Sequence, residues 1–581
     1  MQSARQLRFD PLSTRMSRGS TGLWQTTWFA IALLVLLATL VRLINIGQLP
    51  LTDEIYTSLA ARGWVEHGEP VIGDGTYERA WLYSVIVGSF FRVFGDNLIA
   101  ARLPSLLTGI ILVPVVFLWT RRVAGSLAAW TAALLLCVSP LAIHISQYAR
   151  FYGLFDLLFW LGAIGLYALV HERLSGAKAV AIGLGSLLCF ALALHLQVLT
   201  LIGAVGLGLW LIQATALPWL RAKLYTPRRL WFAIGIAVAI ALLVAFVEIQ
   251  TGTAERLLAR YLWSPLWSIE HQSEFWFYHV FFAQHYQSLW PLLPFLAILA
   301  VAHRPRPAIF CFIVFVIGFV LLSFGGMKDK RYVAFLLPFL FVLWGIAFAA
   351  LVPLLRRLIA RATPRALDNL APGLATRGAQ VAVIGLGVLF LIGSNGAPAK
   401  TLFSLARIKM FAEGGGAGMT TGQLRADWAA VKAPLAPWLS NAAIVLTSHD
   451  VKTLYDLGRY DIVISATRIT EITGSLSGDE GEFDIDFRTG RPVISIAESL
   501  RLVMACYPDG LILAEAGHLG LDEAIIDPVA DVIEAETTPI PLPSETRVVA
   551  FHWEHPVADP APAACATLPE INGPPRPAEQ N

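Results

Sequence analysis

Charge is scarce in this chain. Only 14% of its 581 residues are Asp, Glu, Lys or Arg, where a soluble globular chain carries roughly a quarter. With 56% hydrophobic residues and a mean hydropathy of +0.63, this excludes an ordinary soluble domain and points to a polytopic membrane protein. Cysteine is scarce too: there are five, none in a metal-type spacing. Cys137, Cys189 and Cys311 lie in apolar runs and read as packing residues. Cys506 and Cys565 lie in a polar C-terminal part and can pair if that part faces an oxidising compartment. A P-loop and a dinucleotide-binding glycine fingerprint after a strand are both missing, so no soluble nucleotide site is expected. No internal repeat is visible, which weakens an inverted-repeat transporter. The net charge of +2 says little about partners, and no nucleic-acid partner is expected.

What the chain has in abundance is apolar runs of bilayer-spanning length. They cover roughly 24–46, 98–119, 125–142, 154–171, 179–195, 198–219, 230–250, 289–303, 307–325, 332–354 and 380–397, about eleven spans. A shorter run, Trp81–Phe94, carries Arg92 and is read as an interfacial helix. That reading puts Arg121-Arg122, Arg173 with Lys178, Arg221 to Arg229, Arg304 with Arg306, and the 356–377 loop on the side of the N-terminus, as the positive-inside rule asks. Arg5, Arg8, Arg15 and Arg18 precede the first span without an apolar leader core, so residues 1–22 are expected to be cytoplasmic and the first span a retained signal anchor.

The expected organisation is an α-helical polytopic membrane domain over 23–397, with outer loops at 47–97 and 251–288, followed by an extracytoplasmic α/β domain over 398–555. Short strands are predicted at 443–447, 461–465, 492–495, 511–514 and 548–553, and helices at 454–458 and 497–507. The Pro- and Ala-rich residues 556–581 are expected to be a disordered tail.

Chemistry-bearing residues collect on the predicted outer face. Asp53 and Glu54 follow the first span; adjacent carboxylates at a bilayer edge must reach water or find partners. They read either as a solvated or capping pair, or as a catalytic base or metal ligand. Asp156 opens another helix from the same face, where it either caps the helix or joins Asp53 around one cation or one hydroxyl. Lys328, Lys330 and Arg331 break the charge rule on that face, and a phosphate is the natural cause. Arg79 reads as a second phosphate contact or an interface anchor, and Arg102 as a structural partner of Asp53 or Glu54. His144, His195, His271, His279 and His285 show no metal-ligand spacing; His271 is the best functional candidate among them.

Taken in order, these pieces resemble the GT-C glycosyltransferases of the protein O-mannosyltransferase and aminoarabinose (lipid A) transferase superfamily. The matching residues are Asp53-Glu54, Glu78-Arg79-Ala80-Trp81-Leu82-Tyr83, Ala101-Arg102-Leu103-Pro104-Ser105, Ala149-Arg150-Phe151-Tyr152 with Asp156, and 328–332 followed by Pro338, spread over roughly 25–350. Ala80-Trp81 stands where the family has a proline pair. The resemblance implies transfer of a sugar from a polyprenyl-phosphate donor to a lipid, polysaccharide or protein acceptor on the outer face of a bacterial-type inner membrane. By it Asp53 is the base or metal-site carboxylate, Asp156 its partner and Glu54 its support. Lys328, Arg331, Lys330 and Arg79 would hold donor phosphate, and Arg102, Arg150, Tyr152 and Tyr83 would support them. A divalent cation is the one cofactor that the reading leaves room for. A lipid or small-molecule transporter is the competing expectation.

Overall fold

The computed structural model describes residues 27–44, 46–77, 79–216, 275–287, 289–325, 328–362, 385, 426–473, 483–486, 488–517, 521, 524–554, 565 and 568. His271 and the windows at 230–250 and 380–397 lie outside the described residues, apart from position 385.

The first apolar run forms α1 (Thr27–Leu43), and the segment after it folds into α2 (Thr52–His67), a small hairpin of β1 (Val71–Ile72) and β2 (Gly75–Thr76), and α3 (Trp81–Phe94). α3 buries Tyr83, Val87 and Phe91 and exposes Trp81, Val93 and Phe94, the two-faced pattern of an interfacial helix. Next come α4 (Leu98–Ala124), α5 (Ser126–Val138), α6 (Pro140–Ser146), α7 (Tyr152–His171), α8 (Gly176–Leu196) and α9 (Thr200–Leu211). After the gap follow α10 (Phe277–His285), α11 (Leu293–His303), α12 (Pro305–Phe324), a 3₁₀ turn (Lys330–Leu336) and α13 (Leu337–Ala362).

Five helices among the described residues are long and apolar enough to cross a membrane, and a sixth span arises if α5 and α6 are taken together. Those two meet at a 62° bend at Ser139 and Pro140. Proline cannot donate the hydrogen bond that would continue α5, and the Ser139 hydroxyl instead meets Tyr286 OH at 2.8 Å. The protein is an integral membrane protein. Its largest core lies among α4, α5, α7, α12 and α13, where Trp160, Phe159, Phe335 and Phe339 pack ring against ring.

The C-terminal part is an α/β domain. Its helices are α14 (Lys432–Asn441), α15 (Asp450–Leu457), α16 (Ala466–Thr473), α17 (Ala497–Cys506) and α18 (Asp527–Glu536). Its strands are β3 (Ile444–Thr447), β4 (Ile462–Ile464), β5 (Asp484–Ile485), β6 (Pro492–Ile494), β7 (Asp509–Glu515), β8 (Thr538–Ile540) and β9 (Val548–Glu554). They form one sheet in the order β5-β6-β4-β3-β7-β9-β8, with parallel β6-β4-β3-β7 at its centre. β3, β4 and β6 are buried throughout and β7 is buried except at its two ends, as continuous apolar runs covered by helices require. Cys506 and Cys565 form a disulfide.

This domain rests on α2 and the hairpin. Val451 joins Ile55, Tyr56, Leu59 and Ile72 in one apolar cluster, and Arg491 pairs with Asp74 at 3.2 Å. Gly490, at φ +70°, lies so close to the hairpin that a Cβ would sit 2.7 Å from the Asp74 carbonyl carbon.

Candidate active site

The site begins in the first turn of α2, where carboxylates suit the helix dipole. Successive helical residues point about 100° apart, so adjacent Asp53 and Glu54 face different surroundings. Glu54 turns inward. Arg102 of α4 grips it with two 2.8 Å bonds, from Nε to Oε1 and from Nη2 to Oε2. Its oxygens also accept from the amides of Ala149 at 2.8 Å and Leu51 at 2.9 Å. Arg102 Nη1 reaches the carbonyls of Ile46 and Gln48 at 2.5 and 2.8 Å. Both residues are buried and every charged atom has a partner, so the pair is a strut that ties α2 to α4 and to the α6–α7 loop.

Asp53 turns toward a cluster of cations and phenols, with 31% of its side chain exposed. It pairs with Arg331 Nη1, lies 3.4 Å from Arg150 Nη2, and accepts a 3.0 Å bond from Tyr148 OH. Burial by itself raises the Asp53 pKa, but the Arg150 and Arg331 charges outweigh it and hold the carboxyl well below the usual carboxylate range.

Each cation is itself held. Arg150 Nη1 donates to Tyr77 OH at 2.6 Å and to Thr57 Oγ1 at 3.2 Å. Tyr83 OH meets Ser105 Oγ at 2.6 Å, and Ser105 donates to the Arg150 carbonyl at 2.7 Å, so Tyr83 steadies the loop that carries Arg150. Arg331 stands at the head of the 3₁₀ turn, where Asp329 accepts from its amide at 2.9 Å and meets its Nε at 3.0 Å. The Arg331 guanidinium lies over Tyr148 and Tyr152, with centroids 5.6 and 5.4 Å away. Lys328 is buried and Lys330 half-buried just before it; burial pushes the Lys328 ammonium down. Arg79 is exposed, sits over the Phe151 ring at 5.7 Å and lies near enough to act on Asp53. It makes no ion pair among the described residues. The next residue, Ala80, takes φ 52° to start α3, a left-handed conformation that costs a β-carbon residue about 1 kcal/mol or more.

Asp156 goes elsewhere. It is buried in α7, one turn beyond Tyr152, and its Oδ1 has no hydrogen-bond partner among the described residues. It faces a separate small cavity of about 10 Å³ that Arg42, Gly109 and Ser146 also line. The described residues therefore do not fit a cation shared between Asp53 and Asp156. The Asp53 oxygens are occupied by two guanidiniums and a phenol, and no group of three or more His, Cys, Asp or Glu residues gathers among the described residues.

The structure adds residues that the sequence argument missed. Tyr148, Thr57 and Tyr77 complete the shell around Asp53 and Arg150. Arg42, buried in α1, donates to Ser146 Oγ at 3.0 Å and to the Cys137 carbonyl at 3.2 Å. Gly109 leaves room for that bond, since a Cβ there would meet Ser146 Oγ at 2.0 Å. An arginine inside the first apolar run is the signal that marks it, because such a charge persists only where partners await it.

No protein-family model matches the chain, and no curated protein matches it. Solved structures do. The likeness is one of fold. The structure of ArnT from Cupriavidus metallidurans bound to undecaprenyl phosphate superposes with a TM-score of 0.57 at 14% identity, covering 90% of this chain and 98% of that one. Its apo structure gives 0.56 at 15% identity over 91% and 97%. The archaeal oligosaccharyltransferase AglB from Archaeoglobus fulgidus, in complex with an inhibitory peptide and a dolichol-phosphate, gives 0.52 at 12% identity over 75% and 64%.

Proposed function

We propose that this protein is a glycosyltransferase that moves a sugar from a polyprenyl-phosphate donor to a lipid, polysaccharide or protein acceptor on the outer face of a bacterial-type inner membrane. The observation that carries this reading is the Asp53 carboxylate held between Arg150 and Arg331, in a fold shared with polytopic sugar transferases. That ArnT and AglB were solved with undecaprenyl phosphate and dolichol-phosphate supports a polyprenyl-phosphate donor. The Cys506–Cys565 disulfide supports a periplasmic C-terminal domain, because such bonds persist in oxidising compartments.

The chemistry follows from the charges. A carboxylate held so far below its ordinary range is a poor base, so Asp53 must lose a cation before it accepts a proton. A donor phosphate supplies the reason: Arg331 turns to the phosphate, with Arg79, Lys328 and Lys330 close to it in sequence or space. Asp53 then takes the proton of the acceptor hydroxyl while that oxygen attacks the anomeric carbon with inversion. The bond from that carbon to the phosphate oxygen breaks, and the electron pair leaves on the polyprenyl phosphate, which the cations stabilise. No step requires a divalent ion.

Incubating the purified protein with undecaprenyl-phosphate-linked sugars and extracted acceptors tests this. Acceptor-dependent release of undecaprenyl phosphate is the expected result; no release with any sugar would overturn it. Glycolipid and glycoprotein profiles of a deletion strain then identify the acceptor.

A further inference from the structure

Two helices of the Asp53 site also reach a second, separate cleft. α4 carries Arg102 near its start and Arg122 in its last turn; α7 carries Tyr152 at its start and His171 at its end. At 1.5 Å per residue each separation is about 30 Å, the thickness of a bilayer hydrocarbon core. The second cleft therefore opens at the opposite membrane face.

It holds about 900 Å³ of space open to solvent, lined by Arg122, Tyr167, His171, Glu172, Arg304 and Arg306 among others. Three guanidiniums thus meet one carboxylate, and that carboxylate is taken: Glu172 pairs with Arg122 at 2.7 Å. Arg304 and Arg306 are exposed and make no ion pair among the described residues. Pro305 and Pro307 start α12 and stiffen the turn that presents them. An excess of cations in a cleft between membrane helices is suited to a phosphate.

The surroundings select a lipid over a soluble anion. Tyr167 stacks on Trp210 at 5.9 Å with planes 17° apart, and Trp210 packs on Phe310 at 4.7 Å, so a buried aromatic wall backs the cleft. Leu209, on α9, exposes 43% of its surface, and Ile212, just past the end of that helix, exposes 58%. Apolar surface thus runs toward the bilayer from a cluster of unpaired cations. We propose that this cleft binds the headgroup phosphate of an acidic phospholipid, with the acyl chains along α9 and α12.

The test uses the full chain in nanodiscs of phosphatidylcholine with a minor fraction of phosphatidylglycerol, reading retained lipid by native mass spectrometry. The expected result is about tenfold enrichment of phosphatidylglycerol over phosphatidylcholine, falling to near parity in Arg304→Gln/Arg306→Gln and surviving in Arg304→Lys/Arg306→Lys. Glu172→Gln removes the competing carboxylate and is expected to raise the enrichment, which keeps the test decisive if the glutamine pair does not insert. Equal retention of both lipids, or enrichment unchanged in both the glutamine pair and Glu172→Gln, overturns the proposal. So does displacement of phosphatidylglycerol by millimolar inorganic phosphate, which would mark a soluble-anion site.

Discussion

Tyr56 stacks on Tyr77, with ring centroids 5.9 Å apart and planes 14° from parallel, and the two hydroxyls face different domains. Tyr56 OH donates to Asp450 at 3.3 Å and accepts from Arg468 at 2.9 Å and Arg488 at 3.3 Å, all in the C-terminal domain. Tyr77 OH accepts from Arg150 at 2.6 Å. Docking of the C-terminal domain thus bears on the guanidinium beside Asp53. Tyr77→Phe keeps the stack and removes the acceptor. One bond to a charged group is worth about 1.5–3 kcal/mol, so kcat is expected to fall about tenfold or more with KM little changed. Steady-state kinetics with a polyprenyl-phospho-sugar measures this; a change confined to KM would refute the positioning role.

The Glu54–Arg102 strut sets a different expectation. Removing one partner strands a buried charge, which costs about 3–5 kcal/mol, whereas removing both at matched volume costs much less. Arg102→Met and Glu54→Ala are each expected to abolish a folded, monodisperse protein in detergent. Arg102→Met/Glu54→Gln should recover part of the loss in thermal unfolding. Equal stability of all three variants would show that the pair bears no load.

Much of this was legible in the sequence because charge is so rare in it. Where every ionised group in an apolar region needs a cause, Glu54 and Arg102 stand out, and they do pair. Strand-length apolar runs at 443–447, 461–465, 492–495, 511–514 and 548–553 coincide with β3, β4, β6, β7 and β9. What stayed hidden depends on tertiary approach. Nothing local says that Tyr148 will reach Asp53 across 95 positions, or that α2 will carry the C-terminal domain. Nor does anything local say that Asp156 will line a cavity to which Asp53 does not contribute.

Asp53→Asn keeps the shape and the phenol contact but removes the charge shared by Arg150 and Arg331. Transfer is expected to fall by a factor of about a hundred or more, with the variant still membrane-inserted. The sign of the pH effect is fixed by the depressed carboxyl. Its stabilising contribution is complete above its ordinary value near 3.8 and is lost only as pH falls below that toward the folded value. Between pH 5 and 9 the stability of the donor-free protein should show no carboxyl inflection from Asp53. An inflection that vanishes in Asp53→Asn would contradict the two-arginine description.

Asp456 in α15 behaves oppositely. Burial and the nearby Asp427 charge raise its carboxyl to about 6, against the pull of Lys432, Arg62 and Lys452. The folded domain then holds a proton that the unfolded chain has released, so stability falls as pH rises from about 4 to 6 and is flat above. The two-unit shift corresponds to about 3 kcal/mol at most, and partial exposure cuts this to about 1 kcal/mol. Asp456→Asn should raise the urea midpoint of the C-terminal domain above pH 6 and leave it unchanged near pH 4. If the wild-type midpoint instead climbs between pH 4 and 6 and the substitution lowers it, Asp456 is held charged by Lys432 and Arg62, and the assignment is wrong.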